Sequence, residues 1–462
     1  MHVASDFDPF AGTETLHPFA LAMIILLGTA MLLLPRRHAL LPMVIMACFI
    51  SQAQRVVILG ANFNLIRVMV LFGWARIISR GEYSPFKWLT LDKLVMSWAV
   101  VRTIIFTIQR AEFGAFVFQL GQSFDSIGMY FMFRCLLRSW DDWYNLVRSF
   151  IAVSIPVAAC FFVEWQTRHN LFSFLGGVPL ITEVREGRLR CQGAFPHPIV
   201  AGCFWAVMLP FVIALWWRKD QTSKAWCLVG CFTFCAIIAS AGSSTPLGGV
   251  LEGVFGMSLF FLRRRMRTVR WSLLAILLLL HIVMKGPVWS LLGHIDLAGG
   301  STGAYRAVLI DLAIHNFDTW WLIGTKSISS WNPWFFDVTD QYIMEAITGG
   351  IWTLTLFVAM ISIGFRDTGS VIHATENDRA KQIAAWSIGV GLFVHVMTFF
   401  GVFYFGQIYM VWYLQLATIG SLAALVSESR KPVLSRARQA SSAMPVRNAK
   451  ASGMRFRSRR PA

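Results

Sequence analysis

A chain of 462 residues that is 56% hydrophobic and 14% charged, with a mean hydropathy of +0.59, holds more apolar surface than one or two soluble cores bury. The composition points to an all-α, polytopic transmembrane bundle. Its net charge of +17 would suit a nucleic-acid binder only with basic and aromatic residues interleaved on a folded domain. The basic tail carries one aromatic, Phe456, so nucleic acid is not an expected partner.

The arm 1–16 has no Lys or Arg and holds Asp6, Asp8 and Glu14, which assigns it to the outer side. Apolar blocks of spanning length follow at 18–34, 41–60, 65–78, 88–108 and 113–132, with Arg55 and Arg67 interrupting the second and third. They resume at 146–163, 199–217, 226–241, 247–262 and 271–284, and finish at 346–365, 383–402 and 407–426. Twelve or thirteen spans are expected. Basic residues fall in alternate connections: Arg36 and Arg37, then Arg76, Arg80 and Lys87, then Arg134 and Arg138. Arg218 and Lys219, the run 263–265, and Arg366, Arg379 and Lys381 continue the pattern. It predicts a multi-pass membrane protein with its N-terminus outside and its C-terminus in the cytoplasm.

Residues 1–426 then form the membrane domain, with two long outward loops at 169–198 and 285–344. Residues 427–462 are a basic cytoplasmic tail whose composition predicts disorder against anionic lipid. Cys227, Cys231 and Cys235 recur every four residues and read as small packing positions between helices. The loops hold no Asp-x-Asp pair and no His/Cys cluster, so no metal or other cofactor is expected. Arg67, Arg102, Asp125 and Glu252 are costly inside spans and count as functional candidates, with Arg102 and Asp125 expected to pair.

The unexplained charge lies in the two loops. The first ends on Arg188, Arg190, Gly193, Phe195, His197 and Pro198, where a helix begins. The second opens a helix at Gly303 with Tyr305 and Arg306, reaches Gly324, and crosses an aromatic stretch at 331–336. It then reads Asp337, Thr339, Asp340, Gln341 and Tyr342, with Gly349 and Gly350 behind.

Over roughly 190–358 this order resembles the O-antigen ligase and O-antigen polymerase superfamily of bacterial surface-polysaccharide enzymes. Arg190, Gly193, Phe195 and Pro198 match its first signature, and Arg306 with Gly324 its second. At the third, Thr339 stands on the family's His and Asp340 on its Asn. His315 and Asn316 fall in mid-helix and read as coincidence.

The resemblance implies a metal-independent glycosyltransferase, a polymerase or ligase acting at the periplasmic face. It would move a glycan from a polyprenyl-diphosphate donor to an acceptor hydroxyl on a glycan or a lipid. A diphosphate leaving group gains charge in the transition state, and the planar, permanently charged arginine fork suits it. Arg190 and Arg306 would hold the diphosphate, helped by Arg188 or Lys326. Asp340, or failing it Asp337, would take the acceptor proton, with His197 a second candidate base. Tyr342, Gln341, Trp331 and Trp334 would contact the glycan. Membrane lipids and other polysaccharide-assembly proteins are the further partners.

Plainer roles stand beside these: helix-end anchors for the arginines, caps for Asp337 and Asp340, a turn for His197, and an interfacial belt for the tryptophans. A flippase of lipid-linked glycans and a non-catalytic component of an export assembly are the alternatives.

Overall fold

The computed structural model describes residues 16–58, 61–83, 86–294, 303–335 and 337–442, with backbone alone at 57–58, 61–62 and 429–442. The N-terminal arm 1–15 and the final stretch 443–462 lie outside the described residues. Helix makes up 75% of the structure, and the paired strands among the described residues form two small hairpins. In chain order come α1 (Pro18–Leu33), α2 (Leu41–Phe49), α3 (Leu65–Ser79), α4 (Thr90–Arg110), α5 (Phe113–Leu136) and α6 (Trp140–Thr167). Then follow α7 (Pro198–Ala206), α8 (Leu209–Ala214), α9 (Gln221–Ser240), α10 (Ser244–Ser258), α11 (Met266–Val283) and α12 (Gly303–His315). The last four are α13 (Phe317–Trp320), α14 (Gln341–Ala374), α15 (Arg379–Thr398) and α16 (Ile408–Ser442).

Among the described residues, seven helical stretches are long and apolar enough to cross a membrane: Trp140–Thr167, Pro198–Trp217, Gln221–Ser240, Ser244–Val283, Gln341–Ala374, Arg379–Thr398 and Ile408–Glu428. The protein is a membrane-embedded helical bundle. Seven falls below the count of apolar blocks for identifiable reasons. The stretch Ser244–Val283 holds two blocks, divided by a 3-10 turn at Leu259–Arg265. Helices α4 and α5 are 21 and 24 residues long, but Asp92, Lys93, Arg102 and Arg110 dilute one and Asp125 and Arg134 the other.

The block 41–60 is not one span. Helix α2 ends at Phe49, and strands Arg55–Ile58 and Ala61–Asn64 pair as an antiparallel hairpin. Polar side chains between them are engaged with the first long loop instead of a helix: Ser51 Oγ donates to Gly177 O at 2.8 Å and Gln54 Nε2 to Leu175 O at 2.8 Å. Val56, Val57 and Ile58 are apolar, and hydropathy cannot distinguish such a β-branched strand from helix. The tail differs as well. Helix α16 continues past Val426 to Ser442.

The main core runs through α6, α7, α8, α14, α15 and α16, where Trp143, Phe150, Trp205, Tyr404 and Tyr413 are wholly enclosed. Basic residues gather at one end of the bundle. Arg36 donates to Leu136 O and Asp142, Arg76 to Met31 O and Leu34 O, and Arg134 to Asp92 and Lys87 O. Both long loops lie at the other end.

The expected Arg102–Asp125 pair does not form. Asp125 takes Arg67 Nη2 at 2.8 Å and Asn64 Nδ2 at 3.1 Å, because Gly121 leaves room for the Arg67 guanidinium against α5. Arg102 turns instead to Glu345 on α14, at 3.4 Å, and Trp98 Nε1 donates to the same carboxylate at 2.9 Å. Glu345 is fully buried, so Glu345→Ala leaves Arg102 with an uncompensated charge. A loss of ~3–5 kcal/mol is expected, seen as a lowered thermal midpoint in detergent.

Candidate functional site

Three segments at the loop end converge, and each is shaped by a glycine. In the first loop Gly193 has φ +58, and a Cβ there would stand 2.3 Å from Phe161 Cε2. Glu164, at the end of α6, fastens this turn: Gln192 N and Gly193 N donate to its carboxylate at 3.0 and 3.1 Å, and Thr182 Oγ1 at 2.8 Å. The turn sets Arg190 beside Gly242, at the head of α10, and His197 as the cap of α7.

The second and third segments lock together. Helix α14 is broken at Gly349 and Gly350, whose backbones are non-helical. Gly350 has φ +65, and a Cβ there would stand 2.6 Å from Leu322 O. Gly324 has φ +77 and approaches Ile347 O so closely that a Cβ would stand 2.1 Å away. The Ile347 carbonyl freed by the break is received by Gln109 Nε2 at 2.8 Å and by Thr325 N at 2.9 Å, and Gln109 Nε2 also reaches Ile323 O at 2.8 Å. Gly350→Ala is therefore strained twice, by φ and by contact with backbone. Little of this variant should reach the membrane folded, as size-exclusion chromatography of detergent extracts would show.

The helix expected from Arg306 to Gly324 is two helices, α12 and α13, parted at Asn316. A small cluster of its own seats α12: Leu309 and Ala313 pack with Ile343, Ile347, Ile328, Phe335 and Val338. This brings Arg306 to the first turn of α14. Asp340 caps that turn, its Oδ1 accepting from Ile343 N at 3.0 Å. Among the described residues its Oδ2 is buried without a hydrogen-bond partner, as is Thr339 Oγ1.

Neither Arg190 nor Arg306 makes an ion pair or a side-chain hydrogen bond among the described residues, and the Nε of each is buried without a partner. Burial lowers the proton affinity of both guanidiniums. Burial also pushes the Asp340 carboxyl up to about 7, against two backbone N–H donors and the Arg306 charge. His197 is held down to about 4 by burial and by Arg190 and Arg185. Ile199 N donates to its Nδ1 at 3.2 Å, so the neutral ring carries its proton on Nε2 and is set up as a donor, not a base.

Arg190 thus acts on His197 at the head of α7, while Arg306 acts on Asp340 and on Cys203, six residues further along α7. That separation is ~9 Å along the helix. Arg190 with His197 therefore stands at the head of α7, and Arg306 with the buried Asp340 carboxyl stands beside Cys203 on the same helix. This arrangement can take an anion at the arginines and a proton at Asp340.

The remaining candidates lie elsewhere or are already engaged. Gln341 donates to Glu345 at 2.8 Å and accepts from Tyr404 N at 2.7 Å, both inside the protein. Tyr342 donates to Val396 O at 3.0 Å and packs among Phe357, Phe399 and Phe400. Arg188 is exposed on the second hairpin, and Lys326 is exposed after Gly324. Asp337 is exposed, its backbone bonded to the Tyr305 hydroxyl. Trp334 is 82% exposed, and Trp331 Nε1 donates to Thr319 Oγ1 at 2.9 Å. His315 ends α12 and bonds back to Asp311 on its own helix.

Sequence reasoning missed Glu164 and Glu345, the two acids that hold the turn of Arg190 and the first turn of α14. Each is a lone acid beside or within an apolar block, and that is the signal that marks them. Among the described residues no three His, Cys, Asp or Glu side chains converge as metal ligands would. No protein-family model matches the chain, and no curated protein sequence matches it either.

Proposed function

We propose that this protein is a metal-independent glycan polymerase or ligase of the bacterial inner membrane, of the O-antigen ligase and polymerase type. It would transfer a glycan from a polyprenyl diphosphate to an acceptor hydroxyl at the periplasmic face. The observation that carries this is the set of unspent polar atoms. Arg190 and Arg306 make no ion pair or side-chain hydrogen bond among the described residues, and Asp340 Oδ2 is buried with no partner there, a cost of ~1–3 kcal/mol for that oxygen that a native site can retain for a ligand. Two guanidiniums match the oxygens of a diphosphate, and as the glycosyl bond breaks they stabilise the charge gathering on the leaving group. Asp340, ionised near neutral pH, accepts the proton of the attacking hydroxyl. His197 donates from Nε2 to an oxygen of the donor. Of the ionisable residues deep in the helices, Arg67 with Asp125 and Arg102 with Glu345 are paired with each other, while Glu252 makes no ion pair among the described residues. With most of that charge spent in structure, a transferase is favoured over a carrier with a charged mid-membrane site. In this reading the loop end faces the periplasm and the basic end the cytoplasm, with twelve or thirteen crossings once the diluted helices are counted.

The test is complementation of a strain deleted for this chain with Arg190→Ala, Arg306→Ala and Asp340→Asn, each checked for membrane abundance. Surface glycan should stay as short lipid-linked units with all three. Normal long-chain glycan from all three would sink the proposal.

A further inference from the structure

We propose that Glu252 and Thr245, on α10, form a saccharide subsite beside the arginines that receives the hydroxyl groups of a sugar ring. This rests on the glycan-transfer function proposed above and adds a wall to it. Glycines fix how α10 sits. A Cβ at Gly249 would stand 3.1 Å from Ala206 Cβ and 3.3 Å from Val394 Cγ1, and one at Gly256 2.7 Å from Val390 Cγ1. Trp386 Nε1 donates to Gly256 O at 2.9 Å. That glycine face holds α10 tightly against α7 and α15. Thr245 and Glu252 are seven residues apart, so they share one stripe two turns long. Their Oγ1 and Oε2 are buried, and neither has a hydrogen-bond partner among the described residues.

Glu252 also makes no ion pair there, unlike Asp125 and Glu345, the other acids deep in the helices. A lone carboxyl in a membrane helix is costly enough to demand a role. Its surroundings supply one. Glu252 and Arg306 both act electrostatically on Cys203, and Glu252 acts on Tyr404, whose hydroxyl is tied to His395 Nδ1 at 2.7 Å. Glu252 therefore borders the same region as Arg306 and Asp340, from α10 instead of α12 or α14. A carboxylate and a hydroxyl oxygen left open ask for hydrogen-bond donors. An anion would be drawn to the arginines and repelled by Glu252, whereas a neutral ring with adjacent hydroxyls satisfies both oxygens. The ring can belong to the acceptor or to the donor glycan.

The test uses the full chain in lipid nanodiscs and the oligosaccharide released by mild acid from the strain's own surface glycan, followed by tryptophan fluorescence without donor. Glu252→Ala is expected to weaken binding by about tenfold or more, and Thr245→Val by about threefold. Glu252→Gln keeps one acceptor of the same shape and should lose less than Glu252→Ala. A second arm uses the same oligosaccharide carrying a diphosphate at its reducing end. Weakening of the free sugar alone assigns the ring to the acceptor, and weakening of both assigns it to the donor. A Glu252→Ala chain that binds both as wild type does, or a wild-type chain that binds neither, overturns the subsite. Inorganic diphosphate, titrated into the same samples, reports on the arginines separately and certifies the fold of the Glu252 and Thr245 variants. If diphosphate binds wild type and not Arg190→Ala, the diphosphate seat stands even where the sugar subsite falls. If diphosphate binds neither while sugar binding depends on Glu252, the subsite stands and the transferase function falls.

Discussion

Arg306→Ala should cut glycan transfer in membrane vesicles by ~10²–10³-fold, the range seen when one fixed donor to a developing anion is removed. The effect belongs to the chemistry, because among the described residues Arg306 is bonded to no group whose loss would loosen the fold. Arg306→Lys keeps the charge and loses the fork, so it should recover only part of the rate. The measurement is the initial rate at which lipid-linked units are consumed, at matched protein level. A rate within about twofold of wild type for Arg306→Ala would remove the arginine from the diphosphate.

Asp340→Asn should lose ~10²–10⁴-fold, the usual worth of a positioned general base. Asparagine caps a helix as well as aspartate does, so α14 keeps its first turn and the loss reports the missing base. With the Asp340 carboxyl raised to about 7 by burial, the wild-type rate should climb from pH 6 to pH 8 as the base form fills. The residual rate of Asp340→Asn should be flat across that range. A wild-type profile that is also flat would mean that another group takes the proton.

Stability should move the opposite way from activity. Because burial raises this carboxyl above its unfolded value, the folded chain favours the protonated form, and that contribution is lost as pH rises from about 4 through about 7. Asparagine has no such loss. Asp340→Asn should therefore unfold at a higher temperature than wild type at pH 8, with the gap closing near pH 4.

Apolar length located most of the helices, because a block such as 88–108 or 113–132 has to be helical in lipid whatever it packs against. The same criterion failed at 41–60, since it scores Val56, Val57 and Ile58 alike as helix or strand. Glycine carried more at the site: Gly193, Gly324 and Gly350 sit where φ is positive and a Cβ would strike a neighbour, so the spacing of the motifs encodes three close approaches. Partners across the bundle were not legible. Arg102 and Asp125 announced a cost of burial, but which acid met which base depended on helix rotation, which Gly121 and the first turn of α3 decide. Gln341 and Tyr342 looked like ligands in the loop, and their engagement with Tyr404 and Val396 comes from segments more than 50 residues away.

Helix α11 buries none of its 18 residues, and its main contacts are the turns at its own two ends. At ~27 Å it is close to the thickness of a bilayer's hydrocarbon core, so a thicker or thinner membrane tilts or stretches its surroundings by hydrophobic mismatch. The turn Val288–His294 at its far end is the surface against which α12 packs, and α12 carries Arg306. Acyl-chain length in the host membrane is thereby coupled to the position of Arg306.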